Sequence, residues 1–197
     1  MTAVGVALLS VISACAYFLL KPSAPPEEPF ELEPGRAWRR LAREQAELRQ
    51  QSLEASQAAY TAGRRSEAKR LSERGKEHSR NMVEYNIKAA SEIFDAKNPG
   101  YSPTALAEID LHGLHTNEAL EYATTHLELC RKKRVSATQI ITGRGNRSTS
   151  GAKLKPAIEG LLIRTSGIAW NTDSRNEGRL LVIFNPEEEP GWGCTVM

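Results

Sequence analysis

The spacing of apolar positions along this chain changes character from region to region, and each change predicts an element. Val4 to Leu20 is an apolar run without a charge, closed by Lys21 and by Pro22, Pro25, Pro26 and Pro29. A helix over Thr2 to Leu20, rising about 1.5 Å per residue, reaches roughly 28 Å and nearly spans the ~30 Å hydrocarbon core of a bilayer. Residues 1–21 therefore read as a hydrophobic membrane-anchor helix and residues 22–35 as a Pro/Glu-rich linker. Between residues 36 and 97 the rhythm becomes that of amphipathic helices. Ala68, Leu71, Gly75, His78, Met82, Tyr85 and Ala89 recur at alternating spacings of three and four, and Trp38, Leu41, Leu48, Ala55 and Ala59 fit the same rhythm. Ala62-Gly63 interrupts it, and Ser66 is placed to cap the second helix. The prediction is an antiparallel helical hairpin whose small seam residues Ala55, Ala59, Ala68, Gly75 and Ala89 let the backbones approach. His78 lies on that seam as a packed or partly exposed imidazole.

Asn98-Pro99-Gly100-Tyr101-Ser102-Pro103 is turn chemistry, so residues 98–107 read as a linker. A second module follows over residues 108–185. Glu108 to Leu111 predicts a short strand, and Thr116 caps a helix with the apolar stripe Ala119, Leu120, Ala123, Leu127 and Cys130. Arg131 to Arg134 set cations against the negative end of that helix dipole. Val135 to Ile141 predicts a second strand, and a loop runs from Gly143 to Lys153. Pro156 opens a helix with Ile158, Leu161 and Leu162, ended by Gly167. Ile168–Thr172 and Leu180–Phe184 are the last strands, joined by a polar turn over residues 173–178. The order is β-α-β-α-β-β, and the first crossover makes strands one and two parallel. His126 is placed on the polar side of its helix and given no role.

The net charge of +2 conceals two basic regions. Residues 36–97 hold 14 Lys+Arg against 9 Asp+Glu, and residues 108–185 hold 11 against 8, while glutamates gather at positions 27–33 and 187–189. The imbalance permits contact with nucleic acid, although the arginines on the hairpin read first as solvated surface. Cys15, Cys130 and Cys194 are too few and too scattered for a disulfide framework or a metal site, which points to a reducing compartment.

At the N-terminus, Lys21, Arg36, Arg39 and Arg40 follow the apolar run and none precedes it, so the positive-inside bias predicts a single-pass protein with a cytosolic globular part. The alternatives are a cleaved secretory signal at Ala14-Cys15-Ala16 or a lipoprotein box at Ile12-Ser13-Ala14-Cys15, and the uncharged start argues against both. At the other end, residues 186–197 form an acidic tail closed by Cys194-Thr195-Val196-Met197. That tetrapeptide fits the C-a-a-X pattern, making Cys194 a candidate for prenylation.

The chemistry concentrates in two strand-ending motifs, Asp110-Leu111-His112-Gly113 and Thr142-Gly143-Arg144-Gly145. Parallel strands joined by a crossover deliver both loops to one sheet edge, where α/β folds place ligands. Together they offer an acid, an imidazole, a guanidinium and glycine-rich backbone, a set suited to a phosphodiester. In this reading a phosphate lies against the amides of Gly143, Arg144 and Gly145, with the Arg144 guanidinium on its oxygens. An imidazole titrates near ~6.5 in solution and moves protons at neutral pH, which makes His112 a candidate acid–base group. Asp110, two residues earlier on the strand, shares its face and would orient the imidazole or hold a cation. The plainer alternative is that Asp110 and His112 only tie the strand end while the glycines turn the chain.

Residues 108–185 resemble the Smr (small MutS-related) domain, whose hallmarks are an L-D-L-H-G strand end and a T-G-x-G loop, here Ile109-Asp110-Leu111-His112-Gly113 and Thr142 to Gly145. Residues 36–97 resemble the helical extension of unknown function that precedes Smr domains in many eukaryotic proteins, through Ala42-Arg43-Glu44 and Leu71 to His78. The resemblance implies a two-layer α/β fold like the C-terminal domain of bacterial translation initiation factor three. It also implies activity as a nuclease or nucleic-acid-binding module, since family members nick DNA or cleave RNA. The implied catalytic set is Asp110, His112 and Arg144, with Thr142, Gly143, Arg144, Gly145, Arg147 and Lys153 against the phosphates. Many relatives carry His two residues beyond the second loop glycine, where this chain has Arg147. RNA is the easier substrate, because its own 2′-hydroxyl can attack phosphorus, whereas DNA cleavage would call for Mg2+ or Mn2+. The expectation is thus a membrane-anchored nuclease acting on RNA, or a non-catalytic module gripping RNA or ribosomes near a membrane. A membrane scaffold built on the hairpin is a third class.

Overall fold

The computed structural model of the chain describes residues 33–145 and 152–184. Two long helices come first, α1 (Arg36–Thr61) and α2 (Arg65–Lys97). They are followed by β1 (Glu108–Asp110), α3 (Thr116–Lys132), β2 (Ala137–Ile141), α4 (Leu154–Arg164), β3 (Ile168–Asp173) and β4 (Asn176–Phe184). The chain is a mixed α+β structure with one four-stranded sheet in the order β1-β2-β4-β3. β1 and β2 are parallel, with Ile109 opposite Ile140, and β4 runs antiparallel to both β2 and β3.

On one face of the sheet Ile109, Ile140, Leu180 and Val182 are fully buried. Ala119, Ala123 and Leu127 of α3 and Ile158 and Leu162 of α4 pack into the same core. The core does not stop at the sheet module, because Ala90, Ile93 and Phe94 of α2 belong to it. Phe94 stacks on Tyr122 at 4.2 Å and meets Tyr101 edge-on at 5.2 Å. Polar contacts reinforce the junction. Arg39 of α1 reaches Glu118 of α3 with both guanidinium branches, at 2.7 and 2.5 Å, and also donates to Asn86 at 2.6 Å. Burial pushes the Glu118 carboxyl up, but the bonds from Arg39 and from His115 outweigh it and hold the pKa at about 2.

In the hairpin, Ala68, Gly75 and Ala89 of α2 are buried along the seam as the spacing predicts. A Cβ on Gly75 would come within 3.1 Å of Leu53, so glycine sets how closely α1 approaches. The α1 side differs from expectation. Ala55 and Leu48 are exposed, and the seam runs through Trp38, Ala42, Gln45, Ser52, Ser56 and Ala59. Ser56 donates to the Ala68 carbonyl at 2.8 Å, and Gln45 Oε1 lies 2.8 Å from His78 Nδ1. Polar seam residues hold the register there, which an apolar stripe does not reveal.

Several boundaries also shift. α2 starts at Arg65, so Ser66 lies inside the helix rather than at its cap. α3 is capped by His115, not Thr116, and Glu118 accepts the His115 backbone N–H at 2.9 Å in half of a capping box. β2 starts at Ala137 because Arg134 is left-handed (φ 55°) and the Val135 N–H closes the α3 terminus on the Cys130 carbonyl at 2.9 Å. The polar stretch 173–178 is a tighter β-turn than expected. Asp173 accepts the Arg175 N–H at 2.9 Å and Asn176 accepts the Gly178 N–H at 3.1 Å, so the asparagine begins a strand.

The single-pass membrane reading is corrected. No helix among the described residues is long and apolar enough to cross a membrane. α1 and α2 are long but amphipathic, with arginine and glutamate repeated along their outer faces. Membrane anchoring, and with it the placement of the globular part in the cytosol, is therefore not supported. The predicted anchor over residues 4–20, most of the Pro/Glu-rich linker and the candidate prenylation site Cys194 lie outside the described residues.

Candidate functional site

β1 delivers Asp110 to the sheet edge, and the Leu111 N–H extends the pairing by one bond to the Ile141 carbonyl at 2.8 Å. Beyond it the chain turns through Gly113 (φ 90°), a conformation that favours glycine. Asp110 organises this turn. Its Oδ1 accepts the His112 backbone N–H at 2.9 Å and lies 2.6 Å from His112 Nδ1. With the carboxylate ionised, Nδ1 carries the proton, so the other ring nitrogen, Nε2, is the one left to act on a ligand. The Asp110 side chain is 18 % exposed and that of His112 42 %, an arrangement with the acid behind and the imidazole in front.

Asp110 is itself held from outside the sheet. Asn98, the residue after α2, accepts the Asp110 N–H at 2.7 Å and donates its amide to the Asp110 carbonyl at 2.8 Å. One side-chain amide thus mimics a neighbouring strand.

β2 ends in the second loop. Gly143 and Gly145 are both left-handed, at φ 72° and 74°. A Cβ on Gly143 would stand 3.2 Å from the His112 Cβ, and one on Gly145 only 2.6 Å from that of Ala152. The glycines therefore let the loop press against His112 and close its own base. Gly178 of β4 braces the loop from below. Its carbonyl accepts the N–H groups of Thr142 at 2.8 Å and Gly143 at 3.2 Å, and a Cβ there would meet Gly143 C at 2.7 Å.

The two loops share an open cleft of about 950 Å³, lined by His112 to Thr116, Thr142 to Gly145, Ala152 to Lys155, and Lys97. Among the expected phosphate contacts, Arg144, Gly145 and Lys153 line the cleft with no partner among the described residues for the Arg144 or Gly145 amide. Thr142 is buried and its hydroxyl bonds the Gly178 carbonyl at 3.2 Å, and the Gly143 amide is likewise engaged. The Thr142 hydroxyl and the Gly143 amide thus help to build the loop, while both residues also line the cleft. Arg147 lies outside the described residues. Among the described residues the lining holds Lys97, Arg144, Lys153 and Lys155 and not one carboxylate, so the cleft favours an anion. Lys155 has Glu159 at 3.9 Å, a loose contact that leaves the positive field standing. Among the described residues no three His, Cys, Asp or Glu side chains gather as a metal site.

Three contributors escaped the sequence reading. Lys97 ends a helix assigned to another module, Asn98 read only as turn chemistry, and Gly178 sits in what read as a loop. None carries a local signal beyond its residue type.

His126 also departs from expectation, since it is buried completely. Thr138 Oγ1 donates to the Leu106 carbonyl at 2.8 Å, so it must accept from His126 Nε2 at 2.8 Å, and Tyr101 then donates to Nδ1 at 2.9 Å. Burial pushes the His126 pKa down to about 4, keeping the ring neutral.

Residues 109–184 match the family model of the Smr domain, and residues 36–98 match that of a domain of unknown function, DUF1771. A Smr domain-containing protein of Schizosaccharomyces pombe is 38% identical over 154 residues, covering 78% of this chain and 72% of that protein. Endonuclease NBR9 of Saccharomyces cerevisiae is 34% identical over 145 residues, covering 73% of this chain but 59% of that one. Among solved structures, the Smr domain of NEDD4-binding protein 2 is 34% identical, covers 49% of this chain and 99% of its own, and has a TM-score of 0.35. The chain therefore belongs to the family of Smr domain-containing proteins.

Proposed function

We propose that the cleft between the β1 and β2 ends binds a nucleic-acid backbone and cleaves it, with single-stranded RNA the favoured substrate. The observation that carries this reading is the His112 imidazole, backed by Asp110, at a cleft lined among the described residues by four cationic side chains and no carboxylate. The Arg144 guanidinium and the amides of Arg144 and Gly145 hold the phosphate, where charge accumulates as phosphorus becomes pentavalent. His112 Nε2 takes the proton of the 2′-hydroxyl, and Asp110 stabilises the resulting imidazolium. The 2′-oxygen–phosphorus bond forms, the bond from phosphorus to the 5′-oxygen breaks, and that oxygen takes a proton from water. The products are a 2′,3′-cyclic phosphate and a 5′-hydroxyl. The Saccharomyces relative is named an endonuclease, which supports the same direction. In this reading the sheet and its helices serve as a platform like the C-terminal domain of translation initiation factor three. Duplex DNA lacks the internal nucleophile and would be nicked only with Mg2+ or Mn2+ bound near Asp110.

Arg147, standing where many relatives carry histidine, favours a second reading in which the cleft grips RNA or a ribosome without cutting it. The test is incubation of the full chain with labelled single-stranded RNA and duplex DNA, with and without EDTA, beside His112→Ala. RNA cleavage that survives EDTA and disappears in the variant is expected. Tight binding without cleavage in either protein selects the second reading, and no binding to either polymer rejects both.

A further inference from the structure

We infer that the helical extension forms one wall of the cleft, and that Lys97 binds the backbone phosphate adjoining the one held by Arg144 and Gly145. The inference rests on the nucleic-acid reading above and extends it to a module matched only by a domain of unknown function. Lys97 is the last residue of α2, outside the Smr match of residues 109–184, yet it lines the cleft with both motif loops.

Its placement is fixed. The next residue, Asn98, is bonded to both backbone groups of Asp110, and one helical turn back Phe94 stacks on Tyr122. Ile93 lies where a Cβ on Gly113 would touch it at 3.6 Å. Lys97 is therefore carried by the same rigid packing that positions Asp110 and His112. Its ammonium has no carboxylate partner among the described residues, so binding a phosphate breaks no existing ion pair. Among the described residues the cleft lining contains four Lys or Arg side chains and no Trp, Tyr or Phe ring, so that only the His112 and His115 imidazoles there could stack on a base. Such a wall reads phosphates rather than base edges and tolerates any sequence.

The test measures binding of a fluorescent single-stranded RNA to the full chain as salt is varied, using Lys97→Ala, Lys97→Arg, Arg144→Ala and Lys69→Ala. Lys97→Ala is expected to weaken binding about threefold to tenfold and to reduce the salt slope by about 0.7, the value of one lost phosphate contact on a single strand. Lys97→Arg restores both, and Lys69→Ala, which removes an exposed charge elsewhere on α2, changes neither. If Arg144→Ala weakens binding while Lys97→Ala matches the unmodified chain in affinity and slope, the inference is overturned and the cleft reading stands. If the unmodified chain binds no RNA, the cleft reading fails and takes the inference with it.

Discussion

His112 and His126 sit in the same module, each hydrogen-bonded through Nδ1, and they are built for opposite ends. His112 has a carboxylate behind it and an open cationic cleft before it. His126 is enclosed between Tyr101 and Thr138, with both ring nitrogens satisfied and its pKa pushed down to about 4 by burial. A residue type is not a site. What makes one is a partner that fixes the tautomer together with a ring nitrogen left facing a ligand.

The sharpest way to break this comparison is to remove each ring in turn. His112→Ala should lower RNA cleavage by at least about 10²-fold, the usual range for a lost acid–base group, while its melting temperature stays close to that of the unmodified chain. His126→Ala should do the reverse. It takes from the Tyr101 hydroxyl its acceptor and from the Thr138 oxygen the donor it accepts from, opens a new cavity, and should cost roughly 2–4 kcal/mol in urea unfolding, with cleavage per folded molecule retained.

The second contrast is pH. His126 has a folded pKa of about 4 against an ordinary 6.5, so between these values the unfolded chain binds the extra proton. Its contribution of about 3 kcal/mol is present above pH 6.5 and is lost as pH falls toward 4. Glu118, held at about 2 against 4.5, loses its contribution only below pH 4.5. Urea midpoints should therefore fall in two successive windows that meet near pH 4.5, and His126→Gln should flatten the upper one alone.

Two smaller effects concern what supports the cleft. Gly178→Ala brings a methyl against the Gly143 backbone at 2.7 Å and should cost about 1–3 kcal/mol, with weaker RNA binding as the brace shifts. Asn98→Ala removes both bonds to the Asp110 backbone and should cost about 1–2 kcal/mol. It should also slow cleavage several-fold without removing any group that faces the ligand.

Much of the sheet module was legible because its signals are local. Ile109 and Leu111, then Ala119, Ala123, Leu127 and Cys130 of the α3 stripe, and Ile158 and Leu162 of α4 are buried as the periodicity indicates, while Leu120 and Leu161 of the same stripes are partly buried against that core. The α2 seam follows its alternating spacing for the same reason. What stayed hidden depends on polar residues meeting across long stretches of chain. The α1 seam passes through Gln45, Ser52 and Ser56, Asn98 pairs with a strand twelve residues on, and Arg39 finds Glu118. His126 occupies a buried stripe position with Ala119, Ala123 and Cys130, but its polarity concealed that. In the candidate site, the motifs marked both loops, whereas the engagement of Thr142 and the Gly143 amide with Gly178 became visible only in three dimensions.

The most direct test of the central claim is an NMR titration of the labelled full chain with a short single-stranded RNA. The largest shifts are expected at His112, Arg144, Gly145 and Lys97, around one cleft. Shifts confined to the outer face of the hairpin, or to Gln139 and Leu181 on the sheet, with those four unmoved, would contradict it.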